Sequence, residues 1–229
     1  MNSSEFNAYK TRYRAAIRKV LAEAEPGRLD EAAFPAYSHP NPLINWLFWQ
    51  RLRVVMDYIQ QAAPVERVLD FGCGSGVMLP FLAQVCGQVT AMNIDLTPLE
   101  HVQKHIPLMV NVQALDSNKI PITELIPHSY DFINALDVLE HVDDLPRALT
   151  DLLCLLKPNG QIIISGPTEN ILYQVGRKLA GPEYSGAYHE RSVAEIRTLL
   201  AKHAAIKHIA TLYRPLPLFE IFAGQVFAL

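Results

Sequence analysis

The sequence predicts an α/β protein: a doubly wound, mostly parallel seven-stranded sheet with helices on both faces, preceded by a helical appendage. Three observations carry this reading. From Val65 onward, short apolar runs alternate with segments of helical spacing, which is the pattern of repeated strand–helix units. The middle runs are apolar on successive residues, as strands of a sheet covered on both faces must be. Half of the 229 residues are hydrophobic, enough for one sizeable core.

The elements follow in order. Phe6, Tyr9, Tyr13, Ile17, Val20 and Leu21 recur at helical spacing over residues 3–24. Lys10, Arg12, Arg14, Arg18 and Lys19 punctuate them, which fits a solvated helix face; the alternative is a basic cap over an anionic substrate. Pro26-Gly27 ends this helix. A second runs from Pro42 to Gln61, with Pro42 suited to a first helical position. Residues 1–62 are thus expected to form an N-terminal helical cap, and 63–229 the core. In the core, "ERVLDF" reads as a strand and "SGVMLPFLAQV" as a helix. "QVTAMNI", "LMVNVQ", "YDFINAL" and "GQIIISG" read as the next strands. "TPLEHVQKHI" and "DDLPRALTDLLCLL" are the intervening helices. Helices near 168–180 and 192–203 follow, then "AIKHIATLY" and "LFEIFAGQVFAL" as closing strands.

Composition excludes several classes. The net charge of −3 offers no basic stripe for nucleic acid. Cys73, Cys86 and Cys154 form no CxxC pair, and no His/Asp cluster has ligand spacing, so neither a disulfide framework nor a metal is expected. The first residues lack the apolar core of a signal peptide, and no run is long and apolar enough to span a membrane. A cytoplasmic protein is the expectation, with its oligomeric state left open.

The densest signal is "VLDFGCGSGVMLP", residues 68–80. Gly72, Gly74 and Gly76 alternate directly after a strand, where an open α/β sheet binds its ligand. The spacing is G-x-G-x-G, with Val77 where a dinucleotide loop has its last glycine. The lysine of a phosphate-binding loop is also absent. The stretch resembles motif I of the class I S-adenosylmethionine-dependent methyltransferases. The resemblance extends over about 66–229, and it implies the family's closing pair of strands, the last antiparallel.

The resemblance implies S-adenosylmethionine as cofactor and a set of site residues. Asp70 would lie near the methionine amino group, with Gly72, Cys73 and Gly74 passing close to the methionine and ribose. An acid at the end of the next strand holds the ribose hydroxyls in this family. Asp95, before Leu96-Thr97-Pro98, matches that form; ungapped counting places Asn93 there instead, and a helix-capping role for Asp95 is also open. Asp116 matches the residue that accepts from the adenine amino group, with Leu115 or Ser117 beside the ring, and a turn role is its alternative. Ala135 and Leu136 would offer backbone groups to the methionine part.

Methyl transfer to an oxygen or nitrogen can need a general base, for which His141 and His189 are the candidates. His141 packed beside a helix start is the alternative. Substrate contacts are expected from His39 and from a lid over 168–204, carrying Glu169, Tyr173, Arg177 and Tyr188. The acceptor is expected to be a small molecule, lipid- or glycan-related being one option. The other classes weighed are a non-catalytic scaffold that binds the same cofactor and a nicotinamide-dependent oxidoreductase.

Overall fold

The computed structural model describes residues 1–23, 37–168, 192–212 and 219–226. Two N-terminal helices, α1 (Ser3–Glu23) and α2 (Pro42–Gln61), precede strand β1 (Val65–Phe71). Then come α3 (Leu79–Val85), β2 (Cys86–Asn93), α4 (Thr97–Gln103), β3 (Val112–Asp116) and β4 (Tyr130–Leu136). After these lie α5 (Leu145–Leu155), β5 (Leu156–Pro167), α6 (Val193–Leu200), β6 (Ala205–Leu212) and β7 (Phe219–Gln225). The sheet order is β3-β2-β1-β4-β5-β7-β6. Strands β1 to β5 pair in parallel, and β7 runs antiparallel to both β5 and β6. The expected seven-stranded sheet with its antiparallel last strand is therefore present.

Alternation along each strand divides the core in two. Val68, Phe132, Ile163 and Ile221 point into a layer with α1 to α4. Leu69, Ile133, Ile162, Ile164 and Phe222 point into the opposite layer with α5 and α6. The N-terminal helices are a full part of the first layer. Phe6, Tyr13, Ile17 and Val20 of α1 are buried there with Trp49, Leu52, Met56 and Ile59 of α2. Trp49 sits among the rings of Phe6, Tyr9, Tyr13 and Tyr37, all edge-on to it at 5.7 to 6.2 Å. Trp46 is instead 44% exposed. Helix α2 starts as its sequence demands: Asn41 Oδ1 accepts from the Leu43 N–H at 2.9 Å, and Pro42 takes the first turn.

Three boundaries differ from expectation. Helix α3 begins at Leu79, because positive φ at Gly76 keeps residues 74–78 in turns. Strand β3 begins at Val112: Met109 and Val110 are exposed, and the Val112 N–H turns back to the Met109 carbonyl at 3.0 Å. Strand β5 begins at Leu156, ahead of the expected Gly160, and carries a bulge, since Tyr130 opposes Leu156 while Phe132 opposes Gln161. The end of the first helix at Pro26-Gly27 and the helix near 168–180 lie outside the described residues.

Candidate functional site

The carboxyl ends of β1, β2, β3 and β4 meet at one end of the sheet, with Asp70, Asn93, Leu115, Asp116, Ala135 and Leu136 upon them. Registers place Phe71 beside Met92 and Ala135, and Asn93 beside Asp116. The glycine loop leaves β1 with Gly72, Gly74 and Gly76 all at positive φ. The Met92 carbonyl pins its start by accepting from the Gly72 and Cys73 N–H groups at 2.8 and 3.1 Å.

Asp70 is the buried charge of the site, 4% exposed at the end of β1. Burial pushes its carboxyl up from 3.8 to about 7, against the opposing pull of the Asn134 amide beside it. Asn134 is fully buried opposite Asp70 in the β1–β4 register. It favours the ionised carboxyl by proximity, yet neither amide atom makes a hydrogen bond of normal geometry. A buried carboxyl beside an amide with no bond of its own is polar burial that the fold leaves unmatched. Burial, reinforced by the Asp70 charge, also pushes the Cys73 thiol well up, so it is no nucleophile near neutrality.

The two rivals at the end of β2 are placed differently. Asn93 has both amide ends engaged: Oδ1 accepts from the Gly74 N–H at 3.4 Å, and Nδ2 donates to the Asp95 carbonyl at 2.7 Å. Asp95 is exposed, and one carboxylate oxygen accepts from the Thr97 N–H at 2.9 Å at the start of α4. Asp116 accepts from the Asn118 N–H at 2.9 Å and pairs with Lys119 at 3.0 Å, so the turn role exists. Lys119 and that backbone N–H hold its carboxyl below the usual range. Leu115 is buried, and Ser117 is half-buried with its N–H on the Asn93 carbonyl at 2.9 Å. Ala135 is buried and Leu136 half-buried at the end of β4.

His141 is exposed on a single 3-10 turn, Leu139–His141, whereas its neighbour Glu140 is 2% exposed. His39 is half-buried, with Nδ1 accepting from the Asn41 N–H at 3.0 Å. His189, Glu169, Tyr173, Arg177 and Tyr188 lie outside the described residues.

Sequence reasoning missed a second buried charge. Arg51 of α2 is 2% exposed and forms an ion pair with Asp137, just beyond β4. Its Nη2 donates to the Tyr37 hydroxyl at 3.1 Å, and its guanidinium lies 5.2 Å from the ring centres of both Phe48 and Phe219. Asp137 has φ +52 and accepts from the Ser165 hydroxyl at 3.0 Å. Asn134 was missed too. Its one signal was an amide inside the otherwise apolar run "FINAL".

A family model described as a methyltransferase domain matches residues 37–219. A ubiquinone biosynthesis O-methyltransferase of Dechloromonas aromatica is 33% identical over 120 residues, 50% of this chain and 51% of that protein. One from Pseudomonas fluorescens is 31% identical over 158 residues, 68% of this chain and 64% of its own. The chain spans about half to two thirds of the length of these relatives. The N-methyltransferase NodS of Bradyrhizobium japonicum, solved with S-adenosyl-L-homocysteine, superposes with a TM-score of 0.59 at 15% identity. That match covers 94% of this chain and 98% of NodS, and shows a shared fold.

Proposed function

The chain belongs to the methyltransferase domain family, and on that premise we propose that it transfers a methyl group from S-adenosylmethionine to an oxygen, nitrogen or carbon nucleophile of a small molecule. The observation that carries this reading is the buried Asp70 carboxyl at the head of the glycine loop. A buried carboxyl beside an orphaned amide, under a loop of positive-φ glycines, fits a ligand with an amino group and a backbone-hugging chain. When bound, the cofactor supplies an electrophilic methyl group on a sulfonium.

The chain's own groups then have distinct tasks. Asp70 takes the cofactor's amino group, and the Gly72–Gly74 backbone passes along its methionine and ribose. Asp95 holds the ribose hydroxyls: Asn93 has both ends of its amide engaged, on the Gly74 N–H and the Asp95 carbonyl, whereas Asp95 uses one oxygen to start α4. Asp116 accepts from the adenine amino group, with Leu115 and Ser117 flanking the ring. The Ala135 and Leu136 backbone orients the methionine end. His141 or His189 takes the proton that an acceptor hydroxyl or amine gives up. His39, Glu169, Tyr173, Arg177 and Tyr188 contact the acceptor. The O-methyltransferase relatives favour oxygen as its nucleophile.

The test is titration calorimetry with S-adenosylhomocysteine, with NADH as control ligand. Micromolar binding of the first and none of the second is expected. Binding of NADH alone would return the site to the oxidoreductases.

The raised Asp70 carboxyl gives this binding a pH dependence. The folded, ligand-free chain holds a proton on Asp70 more tightly than the unfolded chain does. The stability from this group is therefore greatest below about pH 4 and is lost as pH rises towards 7. An amino group is bound by the ionised carboxylate, so the opposite trend holds for the ligand. Affinity for S-adenosylhomocysteine is expected to rise several-fold from pH 6 to 8, and Asp70→Asn to bind weakly with a flat profile. A wild-type affinity that does not change over that range removes the carboxylate from the amino-group role.

A further inference from the structure

We propose that Tyr9 and Tyr13 of α1 are positioning residues for the cofactor loop, so that docking of the N-terminal helix sets cofactor affinity. The inference rests on the functional reading above and goes beyond it, because neither residue is expected to touch the cofactor.

The Gly72 and Cys73 N–H groups donate to the Met92 carbonyl and the Gly76 N–H to the Cys73 carbonyl, while the Ser75 and Val77 carbonyls face α1. Those carbonyls are buried and need donors. Tyr13 supplies one: its hydroxyl donates to the Ser75 carbonyl at 2.7 Å and lies 3.1 Å from the Ser75 hydroxyl. Tyr9 supplies another, donating to the Val77 carbonyl. Ser75 and Val77 flank Gly76, the last positive-φ residue before α3. The two tyrosines therefore hold the segment that fixes the loop's return into the fold.

The donors are themselves fixed. The two tyrosine rings stack 6.3 Å apart at 12°, and both stand edge-on to Trp49 of α2. Burial pushes both hydroxyls well above the usual phenol range, so they stay protonated donors at any pH the protein meets. On the rest of α1, Ile17 and Val20 fill the same core without bonding to the loop.

Each hydroxyl should matter to affinity beyond its effect on stability. The experiment compares Tyr9→Phe, Tyr13→Phe, the double variant and Ile17→Ala. Calorimetry with S-adenosylhomocysteine measures affinity, and thermal unfolding without ligand measures stability. Tyr13→Phe is expected to weaken binding about tenfold, and the double variant further. Ile17→Ala is expected to lower the melting temperature but keep the wild-type affinity. Two results overturn the proposal: phenylalanine variants that bind like wild type, or an Ile17→Ala loss of affinity equal to theirs. Failure of the wild type itself to bind S-adenosylhomocysteine overturns the functional reading along with it.

Discussion

Gly72→Val is expected to abolish S-adenosylhomocysteine binding and to destabilise the fold, and the cause lies inside the protein rather than in the ligand's space. Gly72 has φ +74, a conformation that a β-branched residue resists strongly. A Cβ built there stands 2.6 Å from the Val138 Cβ. The loop must therefore move, and with it the Gly72–Gly74 backbone assigned to the cofactor. Backbone strain and overpacking together cost about 2 to 5 kcal/mol. Urea unfolding and calorimetry on the same variant read the two effects separately. Gly72→Ala combined with Val138→Gly, which removes the Cβ that stands 2.6 Å away, divides the cause. Recovered binding in the double variant assigns the loss to the clash, and no recovery assigns it to φ. Wild-type binding by Gly72→Val would sink the loop assignment altogether.

The second large effect is expected at Arg51. Arg51→Ala leaves the Asp137 carboxylate, 23% exposed, without its partner, and empties the space between Phe48 and Phe219. Removing one member of a buried ion pair costs about 3 to 5 kcal/mol, because the other charge stays desolvated. Arg51→Lys is expected to recover little: a lysine offers neither the planar fork nor the surface that lies between two rings. Arg51→Met with Asp137→Asn removes both charges and should restore most of the loss. Chemical denaturation of the four proteins checks this. If Arg51→Ala unfolds within about 1 kcal/mol of wild type, the pair is not a structural element. Binding should suffer too, since Asp137 follows directly on the Ala135-Leu136 backbone assigned to the cofactor.

What the sequence made legible was local. Tyr130–Leu136 reads as a strand because its residues are apolar on both faces, and α2 starts at Pro42 because Asn41 caps it. The glycine spacing alone located the ligand end of the sheet. The pairings made across the fold were not legible. Helical periodicity said that Tyr9 and Tyr13 face inward, but nothing in it names the carbonyls they meet. Arg51 carried no signal of its own, because its partner Asp137 lies on a distant element. Asn93 and Asp95 were inseparable by counting. Their difference is which amide and carboxylate atoms the loop and helix already use, and only coordinates contain that. Met109 and Val110 misled for the opposite reason: an apolar run was read as strand, yet it is exposed and turns back on itself.

The strand order also sets the sequence in which the sheet can be completed. Strand β6 precedes β7 in the chain, yet it joins the sheet only through β7, which lies between it and β5. During vectorial synthesis β6 therefore emerges with no neighbour to pair with. Until β7 follows, the growing chain carries two unpaired strand edges, β5 and β6. Such edges are what a chaperone or another nascent chain engages. The interval between the synthesis of these two strands is when this chain is most open to mispairing.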